Sequence, residues 1–172
     1  MGIAELGSVS ERRIERLVNP QLSDLPPFLV NNGGLNSGYM IGQYAAAALV
    51  SENKVLAHPA CVDSIPTSAN KEDHVSMGTI AIRQTREILD NVEHVVAIEL
   101  LCGAQAYDLI NQIRPMKGGN GTRAAYNVIR NHVPYLDKDR DLYLDIETMV
   151  KVLRSGEIVG AVEEVVGSLK GS

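Results

Sequence analysis

The densest group of polar side chains lies in residues 63–77, which read Asp-Ser-Ile-Pro-Thr-Ser-Ala-Asn-Lys-Glu-Asp-His-Val-Ser-Met. Apolar spacing predicts a long helix beginning at Asn70, which places Glu72 in its first turn. There the Glu72 carboxylate could accept a hydrogen bond from a polar substrate or move its proton. It could equally do no more than stabilise the positive end of the helix dipole. The residues alone leave both hypotheses open.

Two other kinds of site have weaker support from these residues. Glu72, Asp73 and His74 are consecutive, so on a helix they point in different directions and cannot clamp one metal ion. We therefore expect no metal site. His58 and Cys61 could form a nucleophile pair, but nothing in their spacing activates the thiol, and a small buried cysteine is the commoner case.

The elements that must position this segment are predicted to be helices, because apolar residues recur at helical spacing along most of the chain. The predicted helices cover residues 8–17, 36–56, 70–94, 93–113, 122–131 and 145–153. Residues 19–30 contain three prolines and are predicted to be extended, while 58–69 form an irregular loop. The fold class is all-α, with long packed helices. We predict one helical region over 1–172, with bundle helices over about 36–114 and C-terminal helices over about 122–155.

The predicted helix over 36–56 carries almost no charge before Glu52. A helix that is apolar on all sides is normally buried, and the helix over 70–94 carries two neighbouring apolar stripes. The smaller helices offer too little surface to cover both. We therefore expect the chain to be part of a larger helical-bundle assembly.

Charge, apolar runs and cysteine spacing indicate which partners and which cellular compartment to expect. The net charge of −5 over 172 residues argues against a protein that binds the phosphate backbone of nucleic acid. The longest apolar run, residues 45–50, is too short to cross a membrane, and the first residues do not resemble a secretory signal. The two cysteines show no paired spacing, which is typical of a reducing compartment. We predict a cytoplasmic protein with no nucleic-acid or membrane partner.

Three segments carry a resemblance to a known family. Residues 31–41 read Asn-Asn-Gly-Gly-Leu-Asn-Ser-Gly-Tyr-Met-Ile, residues 48–59 read Ala-Leu-Val-Ser-Glu-Asn-Lys-Val-Leu-Ala-His-Pro, and the third segment is 62–77. Together they resemble the C-terminal third of the histidine ammonia-lyases, in the aromatic amino acid lyase family. The resemblance implies a mostly helical tetramer. It also implies a methylidene-imidazolone (MIO) group formed from an internal Ala-Ser-Gly tripeptide, which the sequence lacks.

The resemblance assigns roles to individual residues. It makes Glu72 the carboxylate beside the substrate side chain, where it accepts a hydrogen bond from the imidazole N–H. Met40 matches a residue that lines the same pocket, and Ser68 and Asn70 match the loop that approaches the prosthetic ring. Lys71 departs from the family, which has Gln at this position.

The implied reaction is the non-oxidative elimination of ammonia from L-histidine to give trans-urocanate. An N-terminal lyase polypeptide would carry the MIO-forming segment, so we expect this chain alone to be inactive. It would be either a separate subunit or a piece of a longer chain, in a homo- or hetero-oligomer. The alternatives are a tyrosine or phenylalanine ammonia-lyase or aminomutase fragment, and a non-catalytic helical assembly module.

Overall fold

A computed structural model describes residues 1–169, and in that range it contains helices, two isolated bridges and no strand. The α-helices are α1 (Gly2–Val18), α2 (Pro20–Ser23), α3 (Met40–Leu56), α4 (Gly78–Ile113), α5 (Asn120–His132), α6 (Leu142–Ser155) and α7 (Glu157–Val166). Short 3-10 turns cover Pro27–Leu29 and Ala60–Val62. The prediction of an all-α fold is confirmed.

The central element is α4, whose 36 residues extend over about 54 Å. Its buried positions run from Ile88 to Leu109 and include the consecutive residues Ala104, Gln105 and Ala106. Because consecutive residues point in different directions around a helix, α4 is covered on more than one side, mainly by α1, α3 and α6. None of residues 78–87 is buried. The first turns of α4 therefore extend beyond the core that the rest of the helix builds.

Helix α4 replaces the two helices predicted over 70–94 and 93–113. The prediction of a break near residue 93 was wrong, because 78–113 contains no proline and only one interior glycine, Gly103, that could interrupt the backbone hydrogen bonds. The predicted start at Asn70 was also wrong. The chain does not become helical until Gly78, because residues 68–70 adopt left-handed backbone angles that a helix excludes.

Other helix bounds differ from their predictions in identifiable ways. Helix α1 begins at Gly2 rather than near residue 8, and α3 begins at Met40 after the glycine-rich stretch has ended. Helix α6 begins at Leu142, because the Asp141 side chain accepts a hydrogen bond from Tyr143 N at 3.1 Å. Helix α7 was not predicted.

Helix α3 was predicted to carry more apolar surface than the other helices of this chain could cover. Gly42, Ala46 and Val50 face the core against α1 and α4. Ile41 and Tyr44 are 57% and 69% exposed. Within the described chain α3 has neighbours on one side only, which leaves an apolar face uncovered.

A buried glutamine on α4 bonds to two segments that are distant from it in the sequence. Gln105 is fully buried on α4, and its Nε2 donates to the carbonyls of Leu29 at 3.1 Å and Leu136 at 2.9 Å. Its Oε1 accepts from Leu136 N at 3.1 Å and from an Arg130 guanidinium nitrogen at 3.3 Å. Gln105 thereby joins α4 to the segments that contain Leu29 and Leu136.

Candidate functional site

Glu72 lies in a tight turn between the 3-10 turn Ala60–Val62 and α4. Thr67 N donates to the Glu72 carbonyl at 3.0 Å, and Glu72 N donates to the Thr67 carbonyl at 3.3 Å. Lys71 N donates to the Ser68 carbonyl at 3.2 Å inside this bridge. Val75 N also donates to the Ser64 hydroxyl at 2.9 Å. The turn is therefore fixed by its own backbone and by the chain that precedes it.

The Glu72 side chain is exposed and partly oriented. The Thr67 hydroxyl donates to Glu72 Oε2 at 2.7 Å, while nothing in residues 1–169 donates a hydrogen bond to Oε1. Because α4 begins six residues after Glu72, the hypothesis that Glu72 stabilises a helix start is wrong. The arrangement presents one free carboxylate oxygen to the outside of the turn.

Ser68 and Asn70 occupy the tip of the same turn. Their φ angles are 53° and 65°, and that of Ala69 between them is 55°, so three successive non-glycine residues are left-handed. Non-glycine residues with such angles are uncommon, and they cluster at functional sites. Both side chains are exposed. The structure therefore brings Glu72, Ser68 and Asn70 together in one exposed turn.

Met40 stands on a different element, at the first residue of α3. It is half-buried and lines a cavity of about 340 Å³ with Phe28, Gln43, Tyr44 and Ala47. None of the residues of the Glu72 turn lines this cavity. The chain thus supplies two separate surfaces, a polar turn and a largely apolar pocket.

Asp139 holds the loop that leads into Met40, and the sequence did not single it out. Its carboxylate accepts hydrogen bonds from Ser37 N at 2.7 Å and Gly38 N at 2.8 Å, and these bonds lower the pKa of Asp139. It lies in the run Asp-Lys-Asp-Arg-Asp over 137–141. Nothing in that run distinguishes one carboxylate from another.

Tyr39, the residue before Met40, carries a buried polar group. Tyr39 is almost fully buried, and its hydroxyl has no hydrogen-bond partner among the described residues. Burial raises the pKa of Tyr39, so the phenol stays neutral.

The described residues form neither a His58–Cys61 nucleophile pair nor a metal-binding cluster. Cys61 is exposed and Cys102 buried, and both are free thiols. No hydrogen bond joins Cys61 to His58 in the described chain. Over residues 1–169, no three His, Cys, Asp or Glu side chains gather in a way that could hold a metal ion. No helix in that range has the length and apolar character needed to span a membrane.

The long packed helices fit the helical ammonia-lyase fold, and comparison with known proteins agrees. A profile of the family described as aromatic amino acid lyase matches residues 1–131. The chain belongs to this family. Members use the MIO prosthetic group.

Individual relatives narrow the similarity further. The chain is 58% identical over 171 residues to a histidine ammonia-lyase of Natranaerobius thermophilus, covering 99% of this chain and 33% of that protein. It superposes on the crystal structure of histidine ammonia-lyase from Trypanosoma cruzi with a TM-score of 0.89 and 50% identity, covering 95% of this chain and 32% of that one. The tyrosine aminomutase of Streptomyces globisporus gives a TM-score of 0.88 but 38% identity, with coverages of 95% and 31%. The chain spans about a third of the length of these relatives.

Proposed function

We propose that these 172 residues form the side-chain recognition part of a histidine ammonia-lyase, which eliminates ammonia from L-histidine to give trans-urocanate. The observation that carries the proposal is the 58% identity to a histidine ammonia-lyase along 99% of the chain, together with the exposed Glu72 carboxylate held in a fixed turn. Lower identity to the tyrosine aminomutase, at 38%, disfavours the tyrosine and phenylalanine alternatives.

Glu72 is the group that recognises the imidazole. The Thr67 hydroxyl orients the carboxylate through Oε2, which leaves Oε1 able to accept a hydrogen bond from the imidazole N–H. A carboxylate facing an apolar ring in a closed site would lose its hydration without gaining a partner. Glu72 therefore favours histidine over phenylalanine.

Met40 supplies an apolar wall for the same substrate side chain. It lines its cavity with Phe28 and Tyr44, and such surfaces contact the carbon atoms of a ring without competing for its nitrogens. Because the Glu72 turn is exposed here, the polar and apolar surfaces close around a substrate only when further protein covers the turn.

The prosthetic group must come from other protein, because the sequence contains no Ala-Ser-Gly. Ser68 and Asn70 fit the approach to such a group: their side chains are exposed and their backbone is held in a left-handed turn. When bound, the group supplies an electrophile that makes the amino group of the substrate a better leaving group. The partner is an N-terminal lyase segment, either a separate polypeptide or the rest of a longer chain.

The assembly is an oligomer with a tetramer-like arrangement, and the uncovered apolar face of α3 supports an interface on that helix. Ile41 and Tyr44 are large, exposed and close together on one helix, and exposed apolar patches commonly mark interfaces.

Coexpression tests the proposal. The tagged chain is expressed with the two thirds of the Natranaerobius thermophilus relative that it does not match, and is purified through the tag. We expect a second polypeptide to copurify and urocanate absorbance to appear with histidine, but not with tyrosine or phenylalanine. The chain alone should be inactive.

Three results would contradict the proposal. The first is urocanate formation by the 172-residue chain with no second polypeptide detectable by mass spectrometry. The second is a stable complex that eliminates ammonia from tyrosine but not from histidine. The third is a stable complex that acts on none of these amino acids, which would favour a non-catalytic assembly module.

A further inference from the structure

We propose that Asp139 is a positioning residue for the Met40 pocket: it holds the loop that sets both walls of that pocket. The role of the pocket in binding histidine rests on the proposed function. The positioning itself is a property of this chain, and it can be measured without activity.

Asp139 makes three hydrogen bonds to residues 36–38 of the loop that precedes α3. Its Oδ2 accepts from Ser37 N at 2.7 Å and its Oδ1 from Gly38 N at 2.8 Å, so both carboxylate oxygens are used. The third bond runs the other way: the backbone N–H of Asp139 donates to Asn36 Oδ1 at 3.3 Å. These bonds join positions about a hundred residues apart in the chain. The other hydrogen bonds of residues 35–36 go to nearby residues of the same loop, and Tyr39 N bonds the Phe28 carbonyl.

Residues 37–39 of this loop contact both Met40 and Phe28, which lie on two sides of the pocket. Met40 N donates to the Ser37 carbonyl at 3.2 Å, which sets the first turn of α3. Tyr39 N donates to the Phe28 carbonyl at 2.9 Å. A Cβ placed on Gly38 would lie 2.5 Å from that same carbonyl oxygen, so the loop packs directly against Phe28. Met40 and Phe28 both line the cavity.

No basic side chain competes for the Asp139 carboxylate. The neighbouring Arg140 is engaged elsewhere: it pairs with Asp145 at 2.8 Å and donates to the carbonyls of Tyr135 and Pro134. No ion pair to Asp139 occurs in the described part of the chain. Because Asp139 does not line the cavity, it acts on the pocket only through the loop.

Methyl NMR of the full 172-residue chain tests this positioning. With ¹³C-methyl methionine, the Met40 signal is assigned by its loss in Met40→Leu. We expect Asp139→Ala to shift or broaden the Met40 methyl signal and to leave that of Met149, in the core, unchanged. The amides of Ser37 and Gly38 should exchange at least about tenfold faster with solvent.

Two matched variants separate positioning from a general loss of structure. Asp139→Asn keeps one acceptor oxygen and should give intermediate exchange rates. Asp137→Ala removes a nearby exposed carboxylate that makes no hydrogen bond in the structure, and it should match the wild type. If the Met40 signal of Asp139→Ala coincides with that of the wild type, or if Asp137→Ala gives the same changes, Asp139 does not position the pocket.

The coexpressed assembly gives a functional readout. There Asp139→Ala should raise KM for histidine by about threefold to tenfold while kcat changes less than about twofold, because the pocket binds the side chain and does not carry out the elimination. If kcat instead fell by about threefold to tenfold while KM stayed unchanged, the positioning role would be overturned. If the wild-type assembly makes no urocanate, the proposed function fails, and the NMR result still decides the role of Asp139.

Discussion

Replacing Gln105 with leucine should destabilise the chain severely, although the two side chains have similar volumes. Gln105 makes four hydrogen bonds inside the core, to the Leu29 carbonyl, to both backbone groups of Leu136 and to Arg130. At about 0.5–1.5 kcal/mol for each bond, the loss is roughly 2–6 kcal/mol. Leu136 is fully buried, so water cannot replace the lost partner of its N–H. We expect about 3–5 kcal/mol, a large part of the roughly 5–15 kcal/mol that holds a domain folded.

Urea denaturation followed by circular dichroism measures this change in the free energy of unfolding. The control is Gln112→Leu, on the same helix, where the glutamine side chain is exposed and makes no hydrogen bond among the described residues; it should change stability by less than about 0.5 kcal/mol. If Gln105→Leu cost less than about 1 kcal/mol, Gln105 would not hold the segments around Leu29 and Leu136 together.

Three further predictions concern the segments beside the pocket. Tyr39→Phe removes a buried hydroxyl that has no partner, so thermal melting should show a change between zero and about 1 kcal/mol of stabilisation; a loss above that would mean that the hydroxyl is bonded. Gly38→Ala should cost more than about 2 kcal/mol, since its φ is +54° and a Cβ would lie 2.5 Å from the Phe28 carbonyl oxygen. Gly34→Ala, at φ +93° in open space, should cost only about 1 kcal/mol, and equal costs would contradict the close packing of Gly38. The lowered pKa of Asp139 means that its stabilisation is present above its ordinary value of 3.8 and is lost as pH falls through the lower folded value. The stability difference between the wild type and Asp139→Asn should therefore shrink in acid, and a difference that stayed constant would refute the assignment.

The predictions from sequence succeeded where regular spacing determines structure. Apolar spacing predicted helix over nearly all of residues 78–113, because a helix repeats its contacts every three or four residues. The same spacing extended the helix too far back, to Asn70. Left-handed angles at Ser68, Ala69 and Asn70 and the bridge between Thr67 and Glu72 prevent that extension, and residue periodicity does not detect either feature.

The site was only partly predictable for a related reason. Glu72, Ser68 and Asn70 are close in sequence, so the resemblance that singled them out also implied that they lie together. Asp139 reaches its loop across about a hundred residues, and its hydrogen bonds go to backbone N–H groups, which every non-proline residue carries. No pattern of residue types distinguishes such a contact. It becomes visible only when the fold brings the two segments together.

The most direct test of the account compares two carboxylates in the coexpressed assembly. Glu72→Gln keeps the shape of the side chain but removes the charge from the group proposed to accept the imidazole N–H. Asp73→Asn makes the same change at the next residue, which is exposed and makes no hydrogen bond in the described chain. A charged hydrogen bond of about 1.5–3 kcal/mol predicts that Glu72→Gln lowers kcat/KM for histidine by about tenfold to a hundredfold, while Asp73→Asn stays near wild type. Wild-type kcat/KM in Glu72→Gln would contradict the assignment of Glu72 to substrate recognition.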